Sequence, residues 1–137
     1  MVKIISFVFF LSSLGLAQAV VIDEKTGLMW QDNSSSQDVI KNYEDADDYC
    51  NALSLDEYDD WRLPSIDELI SISDRDKFSP AIKANFYNVK HSFYWSSSTY
   101  LGDATTAWGV HFFDGGVLWD SKIYRNSVRC VRDNHKE

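Results

Sequence analysis

Histidine, cysteine and proline are scarce in this sequence: three, two and two residues among 137. Each shortage closes a route. His91, His111 and His135 lack the spacing of metal ligands, so no metal site is expected. Gly-x-Ser-x-Gly is absent, and neither His91 nor His111 has a spacing that indicates a Ser-His-Asp arrangement, so Ser96 to Ser98 do not read as a nucleophile. Positive charge is also short, with 13 Lys and Arg against 21 Asp and Glu and a net charge of −8. An acidic chain repels phosphate backbones, which argues against nucleic acid as a partner. Beyond residue 19 no second apolar stretch occurs, so no membrane insertion is expected once the leader is gone. No cofactor is expected.

What is present starts with that leader. Met1-Val2-Lys3 is a short basic start, Ile4 to Leu16 is mostly apolar, and Ala17-Gln18-Ala19 is a small-x-small cleavage pattern. Residues 1–19 therefore read as a signal peptide, and the product as exported, either periplasmic or extracellular. The mature chain would be one domain, residues 20–132, with a flexible tail at 133–137. In that compartment an even pair of cysteines, Cys50 and Cys130, reads as one disulfide. Closing so long a loop stabilises a fold by about 4 kcal/mol in the chain-entropy model. A reactive thiol would instead need a nearby base and a reducing environment.

The pattern along the chain predicts helices early and strands late, an α+β layout. Val20 to Ile22 and Leu28 to Trp30 read as a hairpin with Gly27 at its positive-φ position. Asn33 to Gln37 reads as a polar loop. Asn42 is a candidate N-cap for a helix that buries Tyr43, Ala46, Cys50 and Leu53. Ser65 and Glu68 form a capping box for a shorter helix with Ile66, Leu69 and Ile70 on its apolar side, stopping near Ser73. Lys77 to Asn88 reads as loop with a helical turn after Pro80. Phe93 onward is strand-like: Trp108, Val110 and Phe112 alternate with Gly109, His111 and Phe113, and Asp114-Gly115-Gly116 marks a hairpin before Val117 to Ser121. Ser127 to Arg132 reads as a last strand with Val128 and Cys130 on one face and Arg129 on the other.

Six pieces in order resemble the Lcl C-terminal domain family, named for the end of the Legionella collagen-like adhesin. They are Thr26 to Gln31; Ala46 through Tyr49-Cys50 to Leu53; Asp59-Asp60-Trp61-Arg62-Leu63-Pro64-Ser65 running into Glu68-Leu69; Tyr94 to Ser98; Ala107-Trp108 with Val110, Phe112 and Gly115; and Val128 to Arg132. The resemblance covers essentially the whole mature chain. It implies a C-type-lectin-like fold related to that of formylglycine-generating enzymes, with two helices packed on a twisted antiparallel sheet, and extracellular placement. The adhesin for which the family is named binds sulfated glycosaminoglycans as a trimer, through basic surface. This chain has no collagen-like repeat to drive trimerisation, and its charge opposes a polyanion, so that ligand and oligomeric state are not carried over.

Two motifs admit a functional or a structural reading. In Trp61-Arg62-Leu63-Pro64, Arg62 would clamp an anion, or would pair with Asp60 or Glu68 while Trp61 and Leu63 enter the core; the second is favoured because an arginine amid acids is neutralised by them. Asp56, Glu57, Asp59 and Asp60 lie in a stretch where twelve acids face two bases between Glu44 and Asp76. They could hold calcium. The spacing is not that of an EF-hand, and neither Glu-Pro-Asn nor Gln-Pro-Asp occurs, so a solvated acidic face is preferred.

With both thiols expected in a bridge, the reading is a non-catalytic binding domain for a glycan or a cell-surface protein. The alternatives are a periplasmic protein-interaction accessory or inhibitor, and a divergent thiol-dependent oxidoreductase. The candidate binding residues are Tyr100, Asp103, Trp119, Tyr124 and Arg125, in loops and strand ends of the later half, where rings stand beside polar groups.

Overall fold

A computed structural model describes residues 18–134. The expected signal peptide lies outside the described residues except for Gln18 and Ala19. The architecture is α+β. The first hairpin pairs β1 (Val20–Asp23) with β2 (Leu28–Gln31), and Gly27 takes φ 74° in the turn. A short α1 (Ser35–Asp38) and β3 (Ile40–Lys41) lead to α2 (Tyr43–Ala52) and α3 (Ile66–Ser71). Strands β4 (Phe93–Thr99), β5 (Thr106–His111), β6 (Gly116–Ser121), β7 (Asn126–Ser127) and β8 (Val131–Asp133) complete the chain.

The helix starts follow local chemistry. The Asn42 side chain accepts from the Asp45 amide at 2.9 Å, and Glu44 and Asp45 sit in the first turn of α2, where the dipole favours acids. Ser65 accepts from the Glu68 amide while Glu68 accepts from the Ser65 amide, the reciprocal box expected for α3.

Where one antiparallel sheet was expected there are two. Strands β1-β2-β8 form a three-stranded antiparallel sheet, and β3-β7-β4-β5-β6 form a five-stranded sheet in which β4 and β7 run parallel. The predicted strand Ser127–Arg132 is therefore divided. Its middle, Val128 to Cys130, crosses from one sheet to the other, and every residue from Ser127 to Arg132 is buried. Alternation assumes one solvated face, and a segment running between two cores has none.

Those cores lie on opposite faces of the larger sheet. One joins Tyr94, Val110 and Phe112 to Leu69 and Ile72 from the α3 region and to Trp30 and Val131 of the smaller sheet. The other joins Phe93, Trp95 and Ala107 to Ala46 and Cys50 of α2, with Trp61, Leu63 and Val128. Gly109 lets the strands close: a Cβ there would stand 2.3 Å from both the Phe93 ring and the Tyr94 carbonyl oxygen. Cys50 and Cys130 are joined, with Cα atoms 5.5 Å apart, so the bridge ties α2 to the crossing between the sheets.

Four smaller expectations change. Asn33–Gln37 contains α1 rather than loop alone. Ile70 is exposed, and Ile72, one residue past α3, takes its place in the core. The chain does not turn directly after Pro80, because Ser79 and Ala81 donate their amides to the carbonyls of Phe113 and Phe112 and Ser73 bridges to Ile82; the turn comes at Lys83–Phe86, where the Phe86 amide donates to the Lys83 carbonyl. Asp133, assigned to the tail, is the last residue of β8 and pairs with Leu28.

Candidate binding surface

The β4–β5 connection folds back on itself through short-range hydrogen bonds. The Asp103 amide donates to the Tyr100 carbonyl, the Thr106 amide to the Asp103 carbonyl, and the Tyr100 amide to the Thr106 carbonyl. The Asp103 carboxylate accepts from the Thr105 amide at 3.0 Å and from its hydroxyl at 2.7 Å. Those bonds, the hydroxyl's first, hold the carboxyl below its ordinary range. Gly102 has no side chain to collide with the Tyr100 ring, which lies 2.7 Å from where a Cβ would stand. The ring is thereby free to fold over the turn.

It folds onto two tryptophans. The β5–β6 register sets Trp108 opposite Trp119. Their rings meet edge to face, with centroids 5.2 Å apart and planes at 79°. Tyr100 stacks on Trp119 at 4.7 Å and 14°, and meets Trp108 edge to face at 5.2 Å. Such pairs contribute about 0.5–1.5 kcal/mol each beyond their burial, so the three rings hold one another in place. Trp119 nevertheless remains 49% exposed, and Leu101 at the tip of the turn is 97% exposed.

The sequence-predicted residues divide accordingly. Tyr100 and Trp119 are in contact, with Asp103 on the same turn. Tyr124 and Arg125 lie on the β6–β7 turn; Tyr124 is exposed, while Arg125 donates to the Ile40 carbonyl at 3.0 Å and lines a separate shallow cleft with Lys90 and Ser92. Trp108 was read only as part of the alternating strand, and it proves to be the ring against which the other two rest. A groove of about 450 Å3 between Asn42, Tyr43, Glu44, Asp47, Lys122 and Ile123 was also not foreseen. Its polar groups are largely spoken for. Lys122 donates to the Thr99 hydroxyl at 3.0 Å with its ammonium 4.6 Å from the Tyr43 ring centre, and the Tyr43 hydroxyl donates to the Ser97 carbonyl. Burial, and then Asp47, raise the Tyr43 hydroxyl above its ordinary pKa.

The other charged motifs divide between ion pairs and a tight turn. Arg62 makes a two-pronged pair with Glu68 at 2.8 and 2.9 Å and also reaches Asp133. Asp60 is held instead by Arg132, whose guanidinium lies 3.6 Å from the centre of the Tyr58 ring. Asp56 and Glu57 adopt φ of 54° and 69° in a tight turn between Leu55 and Tyr58, which exchange backbone hydrogen bonds. Among the described residues no three His, Cys, Asp or Glu side chains gather into a group that could hold a metal ion. Arg129 and Asp32 form a buried pair at 3.0 Å, with neither side chain exposed.

The molecule is thus a disulfide-tied α+β domain with an aromatic patch of three contacting rings on the β5–β6 side of its larger sheet. A model of the Lcl C-terminal domain family matches residues 19–132, and the chain belongs to that family. No curated protein matches it. Among the described residues, no helix is long and apolar enough to cross a membrane.

Proposed function

We propose that this chain is an exported, non-catalytic binding domain of C-type-lectin-like fold that recognises a glycan through Tyr100, Trp108 and Trp119. The observation that carries the reading is the Tyr100–Trp119 stack, fixed edge-on against Trp108 yet half open to solvent. Pre-ordered rings lose little entropy on binding. A ring face suits the apolar side of a sugar, and the Asp103 carboxylate on the adjoining turn offers an acceptor for hydroxyl groups. The net charge of −8 favours an uncharged glycan over a sulfated one. Export is supported by the disulfide, since such bonds persist in oxidising compartments. The same bond leaves no free cysteine for thiol-dependent oxidation. A glycan array probed with the purified protein and with Trp119→Ala tests the reading. Enrichment lost in the variant supports it, and no enrichment over a denatured control refutes it.

A protein ligand, as for an accessory or inhibitor module, is the second reading. It is favoured by exposed apolar residues on the two neighbouring turns, Leu101 at 97%, Ile123 at 76% and Tyr124 at 58%. Ile123→Ser with Tyr124→Ser would abolish capture of such a partner from cell-envelope extract and leave the array result unchanged.

A further inference from the structure

Strand β6 is the last strand of the five-stranded sheet, so one of its edges has no neighbouring strand in that sheet. The Lys122 amide donates to the Thr105 carbonyl at 2.8 Å, which fixes the alternation of the ladder. The backbone groups of Gly116, Leu118 and Asp120 then face β5, and those of Val117, Trp119 and Ser121 face outward. Ser121 is satisfied locally, its amide by the Asp120 carboxylate and its carbonyl by the Tyr124 amide. For Val117 and Trp119, no partner to the outward N–H and C=O exists among the described residues. Exposed edges are ordinarily blunted by lysine, proline or a bulge. Val117-Leu118-Trp119 has none of these, and Leu118 and Trp119 are each 49% exposed.

We propose that this edge pairs with β6 of a second copy of the chain, antiparallel about a two-fold axis at Leu118. In that register Val117 and Trp119 of each copy exchange all their outward N–H and C=O groups with Trp119 and Val117 of the other. No outward group on these residues is left over. Val117 then meets Trp119 across the strands, a β-branched residue against an aromatic, and on the opposite face Leu118 meets Leu118. The charges agree with the same register. Asp120 falls opposite Gly116 rather than another acid, and Asp114 opposite Lys122, so two acidic chains approach without like charges in contact. A closed two-fold pairing of this kind removes both edges and yields a continuous ten-stranded sheet. The two Tyr100–Trp119 stacks lie on one face of it.

The test is analytical ultracentrifugation of the purified, disulfide-bonded protein over a concentration series, with Leu118→Lys and Leu118→Glu. Because Leu118 is half exposed, both variants keep the fold, which circular dichroism verifies. The wild type is expected to form a dimer. Each variant alone sets like charges directly opposite one another and raises the dimer dissociation constant by about tenfold or more. Mixing the two variants restores a dimer containing one of each. A wild type that stays monomeric at every concentration overturns the proposal, including the case where β6 serves an extended peptide from another protein. A dimer that both variants leave intact overturns it as well, since the contact would then lie elsewhere.

Discussion

Replacing Arg129 by Met is the substitution whose consequence can be worked most fully. The guanidinium is completely buried, lies 5.1 and 5.6 Å from the ring centres of Phe86 and Tyr94, and donates to the Asp32 carboxylate and to the carbonyls of Gln31 and Asn88. Asp32 also accepts from the amides of Tyr87 and Asn88. This one pair therefore ties the end of β2, the 86–88 segment and the crossing between the sheets. Methionine preserves most of the packing volume but leaves the carboxylate buried without its counter-charge. Removing one partner of such a pair costs about 3–5 kcal/mol, against a total stability of about 5–15 kcal/mol for a domain. With an m-value of about 2 kcal/mol/M, the urea midpoint falls by about 2 M. Unfolding followed by tryptophan fluorescence measures this. The double variant with Asp32→Asn should lose at least about 1 kcal/mol less than the sum of the single losses, because no unpaired charge is then left buried. A midpoint shift below about 0.5 M, or strict additivity, would refute the argument.

Gly109→Ala is expected to destabilise the fold by about 1–3 kcal/mol, since its methyl group must displace the Phe93 ring and the Tyr94 backbone; thermal melting reads this, and an unchanged Tm contradicts it. Replacing both cysteines by alanine opens an 80-residue separation and should lower stability by about 4 kcal/mol in urea titration. For pH, Glu68 and Asp60 are both held below their ordinary pKa, chiefly by hydrogen bonds from Arg62 and Arg132 respectively. A depressed folded-state pKa adds stability that is present above the unfolded value and lost as pH falls through the folded one. Stability should therefore decline on acidification below the ordinary carboxylate range, and Glu68→Gln should shallow that decline.

The local chemistry of the fold was legible and its global arrangement less so. Asn42, Ser65 with Glu68, and Gly27 announce their structures because capping and turn geometry depend on a few adjacent residues. The two sheets were hidden because Ser127–Arg132 reads as one strand, and nothing within those residues tells that Arg129 meets Asp32 across the core. Ile70 was assigned to the core in place of Ile72 because a six-residue helix has too few turns for its periodicity to fix a face. At the candidate site, Tyr100, Asp103 and Trp119 stood out as aromatic and polar residues at strand ends. Trp108 was hidden by the register: counting outward from Asp114-Gly115 sets Val110 opposite Trp119, whereas the connection is centred between Phe113 and Asp114, and that shift brings Trp108 there. Tyr124 and Arg125 were grouped with them on the same ground, a ring beside a polar group in a late loop, but that ground carries no information on which loops meet, and Arg125 is drawn to Ile40.

The binding claim is tested most directly by titrating the indole-15N-labelled protein with the glycan that the array enriches. The five tryptophans report separately, three of them buried (Trp30, Trp61 and Trp95) and two at the patch (Trp108 and Trp119). Saturable shifts of the Trp119 and Trp108 indole resonances are expected, with the other three unmoved. Saturable binding that leaves Trp108 and Trp119 unchanged would contradict it.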